Sequence, residues 1–281
     1  MRQLPVSFVI FFIQIYRRPT AENCKKSLIL KVERHIPAAT LQPFIKDYLF
    51  IENESEMDNR ILPDTSVVLS VRYRGHISLQ ENNLPDVVLS GIRRSPKNIH
   101  YGGQSGNLLV RFTPGGAAAF FSEPLNEWAD QTVPASFLKR YSDIRQLPER
   151  LAECSAKEEK IAQLERVLMP KLINAQPDPL ILFAIQKICS AGGLLPIRQL
   201  TRELYISQDA FEKRFRQTVG ASPKQFSTII RFRNAIGTHS VTSNLTETAH
   251  AAGYYDQAHF IKAFKSFAGQ SPGQFFRDRR Y

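Results

Sequence analysis

The sequence predicts an α+β protein in which a β-rich N-terminal domain precedes an all-α C-terminal domain. Three observations indicate this class. Short apolar runs with strand periodicity fill the first half of the chain, helical periods fill the last hundred residues, and one helical segment occurs twice in that last part. With 281 residues and a hydrophobic fraction of 43%, the chain is long and apolar enough to build two cores.

Residues 1–34 are predicted to be an N-terminal extension. Residues 6–16 form a nearly unbroken apolar run, but a helix needs about 20 apolar residues to cross a bilayer. Arg17 and Arg18 follow the run, which is the reverse of the charge order of a signal peptide. A strand, an extension or sequence upstream of the natural start is therefore favoured over an export signal, and no membrane partner is expected.

Residues 35–135 are predicted to form the β-rich domain. Between residues 69 and 74, apolar and polar side chains alternate with the period of a half-buried strand. Further apolar runs at 77–79, 87–89 and 108–112 end at turn-forming residues such as Gly75, Gly91 and Pro114. Residues 117–121 are predicted to add a helical turn. This pattern favours an antiparallel sandwich or barrel.

The same region contains no recognisable catalytic or metal-binding motif. Neither a G-x-S-x-G motif nor a P-loop occurs, and His35, His76 and His100 are isolated in the sequence. We therefore predict no enzyme, no metal and no cofactor. Trp128 is expected to pack in the core. Five arginines are candidates for contact with an anionic effector, but scattered surface positions are favoured for them: Arg72, Arg74, Arg93, Arg94 and Arg111.

The three cysteines indicate a reducing compartment. Cys24, Cys154 and Cys189 are far apart and lack C-x-x-C spacing, which argues against disulfides and a structural zinc site. Three free thiols and a cytoplasmic location are therefore expected.

Residues 136–178 are predicted to be a helical linker, and residues 179–281 the C-terminal domain. Apolar residues at 161, 164, 167 and 168 have helical spacing, and prolines at 170, 177 and 179 then interrupt the chain. Beyond them, helices are predicted at residues 180–190 and 197–205, followed by the duplicated segment.

The duplicated segment repeats at an offset of 49 residues. In both copies two phenylalanines four residues apart form an apolar stripe, which Phe267 extends in the second copy. A glycine then ends the helix, and Ser-Pro starts the next one, because serine is a favoured N-cap and proline a favoured first helical residue. Each copy is predicted to be a helix-turn-helix unit. The seven identities are Phe211, Phe215, Gly220, Ser222, Pro223, Gln225 and Phe226, matched by Phe260, Phe264, Gly269, Ser271, Pro272, Gln274 and Phe275.

The charge is concentrated in the same part of the chain. Residues 178–281 contain 14 Lys and Arg against 7 Asp and Glu, and so hold +7 of the formal net charge of +11. A strongly basic region favours a polyanionic partner, with nucleic acid ahead of an acidic membrane surface.

Residues 190–280 resemble the DNA-binding region of AraC/XylS-type transcription regulators. The resemblance implies a sequence-specific transcription regulator with double-stranded DNA as its partner. It also implies a connecting helix at about residues 223–236, and recognition helices at 208–219 and 256–267 that enter major-groove segments about 34 Å apart. The residues that match are Leu204-Tyr205-Ile206-Ser207, Phe211, Phe215, Gly220-Ala221-Ser222-Pro223, the stretch from Ala249 through Gly253-Tyr254 to His259-Phe260, Phe264-Lys265, and Gly269 with Ser271-Pro272.

The resemblance also assigns roles to individual side chains. Phosphate contacts fall to Arg216, Arg231 and Lys265, where they would add affinity without sequence information. Tyr205 departs from the family, which commonly has glycine there, and a positive φ would cost it about 1 kcal/mol or more. The residues assigned to base contacts are Gln208, Asp209, Glu212 and Lys213 in the first unit, and Gln257, Ala258, His259, Ile261 and Lys262 in the second.

Residues 35–135 resemble, more loosely, the cupin-like sensor domain found ahead of some AraC-type regulators. The resemblance implies a small-molecule effector inside the β-rich domain. A homodimer formed through this half or through residues 155–170, and contact with RNA polymerase, are further expectations. The matching stretches are Leu62-Pro63-Asp64, Gly91-Ile92-Arg93 and Val110 to Ala117.

Two other functions remain open from the sequence alone. One is a cupin-like small-molecule enzyme or binding protein that carries a DNA-targeting domain. The other is nonspecific binding of nucleic acid by the basic region, which would weaken steeply with salt and would not survive competitor DNA.

Overall fold

The protein is seen in a computed structural model, which describes residues 13–14, 30–139, 141–172, 177–242 and 244–277. The predicted extension at 1–34 lies outside the described residues except for 13–14 and 30–34, and so does Cys24. Cys154 and Cys189 are both free thiols. Within the described part of the chain, no helix combines the length and apolar character needed to span a membrane.

The N-terminal part contains eleven strands within the described residues. They are β1 (Ile13–Gln14), β2 (Leu30–His35), β3 (Ile45–Asn53), β4 (Met57–Ile61), β5 (Val68–Arg74), β6 (Ile77–Leu79), β7 (Asn82–Asn83), β8 (Val87–Ser90), β9 (Lys97–Tyr101), β10 (Ser105–Phe112) and β11 (Thr132–Pro134). Strand β2 crosses the boundary that was predicted between residues 34 and 35.

The strands form two antiparallel sheets. One sheet has the order β1-β4-β9-β6-β7, and the other has the order β11-β8-β5-β10-β3-β2. Strand alternation gives the six-stranded sheet two buried faces, since Leu49 and Ile51 face the five-stranded sheet while Phe50 packs with the other core. The predicted alternation in β5 is confirmed, because Leu69 and Val71 are buried and their neighbours are not. The β-rich fold class is therefore confirmed.

Nine α-helices follow in the described part. They are α1 (Leu147–Glu153), α2 (Lys157–Leu168), α3 (Pro179–Ser190), α4 (Ile197–Glu203), α5 (Gln208–Val219), α6 (Pro223–Thr242), α7 (Leu245–Ala251), α8 (Gln257–Ala268) and α9 (Pro272–Arg277). Short 3-10 turns lie at Gly116–Ala119, Leu125–Trp128, Ala135–Phe137, Ser142–Gln146 and Met169–Lys171. The first of these matches the helical turn predicted at residues 117–121.

The segment predicted as a helical linker packs on the N-terminal sheets. Tyr48 donates a hydrogen bond of 2.9 Å from its hydroxyl to Glu165 on α2. The Lys157 ammonium forms ion pairs of 2.7 Å with Glu33 and 3.1 Å with Glu52. Helix α2 is thereby fixed against β2 and β3, and it extends the N-terminal core.

The C-terminal part is all helical, as predicted. Helix α6 is six residues longer than the predicted connecting helix and packs against α3, α5 and α7. Phe211 and Phe215 belong to a hydrophobic core that continues into the N-terminal part, whereas Phe260 and Phe264 belong to a separate core that also contains Leu62. Both helical units are therefore in contact with the β-rich part.

Polar contacts reinforce this junction. The Arg233 guanidinium on α6 donates to the Asp64 carboxylate at 2.7 Å, in the loop that follows β4. The Arg60 guanidinium on β4 donates to the backbone carbonyl of Ala268 at 3.3 Å, at the end of α8. Helix α5 also packs on the 3-10 turns at Gly116–Ala119 and Leu125–Trp128.

Candidate nucleic-acid interface

The first helix-turn-helix unit consists of α4 and α5. Ser207 caps α5, because its hydroxyl accepts a hydrogen bond from the backbone amide of Ala210 at 3.3 Å. Phe211, Phe215 and Val219 lie four residues apart and are fully buried. Gly220 ends the helix in the left-handed region at φ 88°. The predicted span of this recognition helix, residues 208–219, is confirmed.

The second unit consists of α7 and α8. The Asp256 carboxylate caps α8 by accepting from the backbone amide of His259 at 2.7 Å, and Gly269 ends the helix at φ 76°. The helix runs from residue 257 to 268, one residue later at each end than predicted. Its buried stripe ends in Ala268, whereas Phe267, predicted to belong to that stripe, is partly buried and stacks on Phe232.

The two turns differ by one residue. Tyr205 has φ 51° and Gly253 has φ 70°, and each lies two residues after the end of its first helix. Ser207 follows Tyr205 by two positions, whereas Asp256 follows Gly253 by three. Tyr255 is the additional residue, and it is 90% exposed. The offset of 49 residues therefore holds for the recognition helices, while Tyr205 and Gly253 match at an offset of 48.

The presumed groove faces of both recognition helices are accessible. Two of the nine residues assigned to base contacts, Glu212 and Ile261, are half-buried, and the other seven are exposed: Gln208, Asp209, Lys213, Gln257, Ala258, His259 and Lys262. Because the phenylalanine stripe of each helix faces inward, these side chains lie on the opposite side. The surfaces are open to a partner, and the assignment of each base contact stays a prediction.

The first recognition helix has little free positive charge. The Arg216 guanidinium pairs with the Glu212 carboxylate at 2.6 Å, one helical turn away. Arg214 donates to the Asp178 carboxylate at 2.8 Å. Lys213 has no ion pair among the described residues, and Asp209 lies nearby on the same helix. The local charges therefore nearly cancel, and a phosphate at Arg216 would compete with Glu212.

The second recognition helix is more cationic. Its span contains Lys262 and Lys265 and no acidic residue. Both lysines are exposed, and neither forms an ion pair within the part of the chain that the structure describes. His259 packs edge-on against the Tyr254 ring, with 5.3 Å between the ring centroids. This helix therefore offers DNA the stronger positive potential.

Arg231, which the resemblance assigns to a phosphate, already has partners within the protein, and its phosphate contact stays a prediction. Its guanidinium donates to the backbone carbonyls of Ala252 at 3.1 Å and Gly253 at 2.8 Å. It also lies 4.3 Å from the centre of the Tyr254 ring. Arg231 therefore holds the second turn against α6. The sequence did not indicate this role, because the acceptors are backbone atoms 21 and 22 residues away.

The expected surface position of the N-terminal arginines is wrong for Arg111. Its guanidinium is buried and makes two bonds of 2.6 and 2.5 Å to the Asp47 carboxylate. Arg93 is half-buried in the lining of a cavity. By contrast, Trp128 packs edge-on against Phe121 in the core, as predicted. The pattern of apolar runs in the sequence could not reveal the burial of Arg111 and Arg93, because it depends on which strands and loops lie together in the fold.

A cavity lies between the two sheets, where a small molecule could bind. Its volume is about 90 Å³, which is room for roughly six to nine water-sized groups. Among the described residues, no three His, Cys, Asp or Glu side chains cluster as metal ligands. Most of the lining is apolar, including Leu49, Leu79, Leu84, Val88, Ile99 and Leu109, and the polar lining includes Asp64, Ser66, Arg93, Tyr101, Asn107 and Arg111.

Comparison with known protein families gives two matches. Residues 200–278 match a family described as a helix-turn-helix domain. Residues 33–134 match a family described as a domain of unknown function. No curated protein sequence matches the chain.

Comparison with solved structures also gives matches. The C-terminal domain of AraT, a response regulator from Geobacillus stearothermophilus, is 28% identical, with 37% of this chain and 88% of that chain covered at a TM-score of 0.35. ToxT from Vibrio cholerae is 11% identical, with 85% and 99% covered at a TM-score of 0.46. The AraC-like transcriptional activator CuxR is 10% identical, with 88% and 93% covered at a TM-score of 0.36.

Proposed function

We propose that the chain is a DNA-binding transcription regulator of the AraC type and that it recognises a specific operator through both recognition helices. The match of residues 200–278 to a helix-turn-helix domain family supports this proposal. The observation that carries this proposal is the exposure of the two presumed groove faces while both phenylalanine stripes are buried. A face that served only folding would be packed. An operator in DNA as the partner also favours a cytoplasmic location for the protein.

The proposed interface divides into contacts that read bases and contacts that bind phosphates. Base contacts fall to Gln208, Asp209, Glu212 and Lys213 in α5, and to Gln257, Ala258, His259, Ile261 and Lys262 in α8. Lys265 and Arg216 bind phosphates of the DNA. To do so, the Arg216 guanidinium must leave the Glu212 carboxylate and pair with a phosphate instead. Arg231 is the third predicted phosphate contact, and it would bind a phosphate while its guanidinium also bonds backbone carbonyls of the second turn.

The two units have different tasks in this proposal. Helix α8 supplies more of the affinity, since its lysines are unpaired within the described chain, whereas α5 supplies selectivity through Asp209 and Glu212. A carboxylate can accept from the cytosine amino group but repels phosphate. Discrimination of about 1–3 kcal/mol at a base pair is typical of such contacts.

Selection of bound fragments from a random DNA library tests the proposal. Enrichment of one sequence, bound in the presence of excess competitor DNA, is the expected result. Lys262→Ala should then weaken binding to that sequence more than Lys213→Ala does, while Arg145→Ala, which removes an exposed charge from the N-terminal part, should leave binding nearly unchanged. A library without enrichment, or the reverse order of the two lysine variants, would contradict it.

The cavity between the sheets supports an effector-binding role for the N-terminal part. Asp64, one of the lining residues, also accepts a hydrogen bond from Arg233 on α6. Because of this connection, a bound molecule can change how the N-terminal part holds the helical units, which is a coupling between two sites. Self-association and contact with RNA polymerase stay predictions from the family resemblance.

A further inference from the structure

Helices α3 to α9 contain seven arginines, and two of them differ from the rest. Within the described chain, the guanidinium groups of Arg198 and Arg202 on α4 make neither an ion pair nor a hydrogen bond, and both side chains are exposed. These two cations are therefore available to an anion outside the protein. The other five donate to a carboxylate or to a backbone carbonyl: Arg214, Arg216, Arg231, Arg233 and Arg277.

The two free arginines occupy one edge of α4. They are four residues apart, so they lie on the same side of the helix, about 6 Å from each other along its axis. The other exposed edge is directed to α3, since Gln199 donates to Glu203 at 3.2 Å and Glu203 pairs with Lys187 at 3.1 Å. Leu200 and Thr201 face the core. The arginine edge is therefore turned away from α3.

Tyr205 lies between the end of α4 and the start of the recognition helix α5. Its backbone amide donates to the carbonyl of Arg202 at 3.2 Å, and Ser207, two residues later, caps α5. The tyrosine has φ 51°, a conformation that favours glycine, and its side chain is 97% exposed. Since so exposed a ring gains little from packing within the described protein, a contact with an outside partner is the gain that remains.

The second unit lacks this set of side chains. At the offset of 48 residues that relates α7 to α4, the positions of the two arginines and the tyrosine are taken by Thr246, His250 and Gly253. Threonine and glycine carry no charge, and histidine is not a permanent cation. The second unit has its free cations, Lys262 and Lys265, on the recognition helix α8 instead. The free positive charge thus lies on the first helix of one unit and on the second helix of the other.

This distribution fits the way in which a helix-turn-helix unit meets DNA. The second helix lies in the major groove, while the first helix crosses the sugar-phosphate backbone. In α5 the Asp209 carboxylate repels phosphate, and Arg216 is paired with Glu212 at 2.6 Å. Free arginines on α4 would offset this repulsion from the neighbouring helix.

We propose that Arg198, Arg202 and Tyr205 bind phosphates of the DNA backbone beside the groove that α5 enters. The proposal rests on the DNA-binding function proposed above and adds the backbone contacts of the first unit. The two guanidinium groups pair with phosphate oxygens, and the tyrosine hydroxyl donates to another. Such contacts fix the position of α5 on the duplex and carry no base information, so selectivity stays with α5.

Anisotropy titrations of the full chain, with the selected operator and with an unrelated duplex over a series of salt concentrations, test this assignment. Arg198→Gln and Arg202→Gln should each weaken binding to both duplexes roughly tenfold at low salt and leave the ratio of the two affinities unchanged. Each should also reduce the slope of log affinity against log salt concentration by about 0.9. Tyr205→Phe should weaken binding to both roughly two- to tenfold without changing the slope, because the hydroxyl carries no charge.

Lys187→Gln is the matched control. It removes one exposed positive charge from the α3 side of the same unit, where Lys187 pairs with Glu203, and it should leave affinity and slope nearly unchanged. Tyr205→Gly separates DNA contact from a structural role, since it should weaken DNA binding although glycine relieves the positive φ.

Four results would overturn the proposal: unchanged binding by both arginine variants, an unchanged salt slope, a loss confined to the operator, or an equal loss in Lys187→Gln. Unchanged arginine variants together with a weakened Lys262→Ala protein would leave the proposed function standing. Failure to select an operator would contradict the proposed function instead, and the salt slope on the unrelated duplex tests the arginines in either case.

Discussion

Replacing Asp64 by Asn is expected to weaken the attachment of the connecting helix α6 to the N-terminal part. The carboxylate accepts from Arg233 at 2.7 Å, and the two side chains are only 14% and 17% exposed. The pKa of Asp64 is held well below its ordinary value, since Arg233, Lys46 and Arg111 outweigh the opposing effect of burial. Asp64 is therefore the nearby anion for Arg233 and Lys46, whereas Arg111 also has Asp47.

The magnitude follows from what each variant leaves behind. Asp64→Asn leaves Arg233 and Lys46 near each other without their common anion, while Arg111 keeps Asp47. Breaking a buried pair in this way costs about 3 kcal/mol. Arg233→Met leaves Asp64 with two other cations, so we expect a smaller loss of about 1–2 kcal/mol. The coupling energy between the two residues should be about 2 kcal/mol.

A double-mutant cycle measured by urea unfolding tests these values. Trp128, the single tryptophan, reports on the N-terminal core by fluorescence, and circular dichroism reports on the helices. Asp86→Asn is the control, because it removes a carboxylate that is 58% exposed from its pair with Arg72, where the loss should stay below about 1 kcal/mol. A coupling energy below about 0.5 kcal/mol, or a greater loss in Arg233→Met than in Asp64→Asn, would refute the reasoning.

Three further predictions concern the two turns and the junction. Tyr205→Gly should raise the free energy of unfolding by up to about 1 kcal/mol, because the tyrosine has φ 51° and is 97% exposed. Gly253→Ala should lower the free energy of unfolding by more than about 1 kcal/mol, since a Cβ there would lie 2.2 Å from the Leu194 side chain. Chemical unfolding checks both, and a destabilised Tyr205→Gly protein would contradict the turn geometry. Burial lowers the pKa of Lys46 to about 8, so the unfolded chain binds more protons between about pH 8 and pH 10.5 and stability should rise with pH by up to about 3 kcal/mol over this window. The same pH series on Lys46→Met should lack this rise, and an equal rise would argue against Lys46.

The helical units were predictable because their signals are local. A phenylalanine every fourth residue and a stop glycine act within about one turn of helix, so the duplicated pattern indicated two helix-turn-helix units. The bounds that the family resemblance implied for both recognition helices agree with the structure to within one residue. The positive φ of Tyr205 was also predictable, since the family resemblance places a glycine there. The additional residue Tyr255 was not, because the seven identities that define the offset of 49 residues all lie after it, while the turn residues before it match at 48.

The junction and the cavity could not be predicted from the same kind of signal. Arg231 and Arg233 are two residues apart on α6, yet one bonds the second turn and the other bonds Asp64, 169 residues away. Arg93 and Arg94 are adjacent, yet one lines the cavity and the other is exposed. Such differences depend on which elements approach in the folded state, and nothing in the charge pattern distinguishes the members of each pair.

Methylation interference on the selected operator tests the central claim most directly, because it reports contacts at guanine N7 in the major groove. Two recognition helices that bind one side of the duplex predict two clusters of interfering guanines, about ten base pairs apart. Lys262→Ala should remove the effect in one cluster and Lys213→Ala in the other. A single cluster, two clusters on opposite sides of the duplex, or interference that neither lysine variant changes would contradict the account.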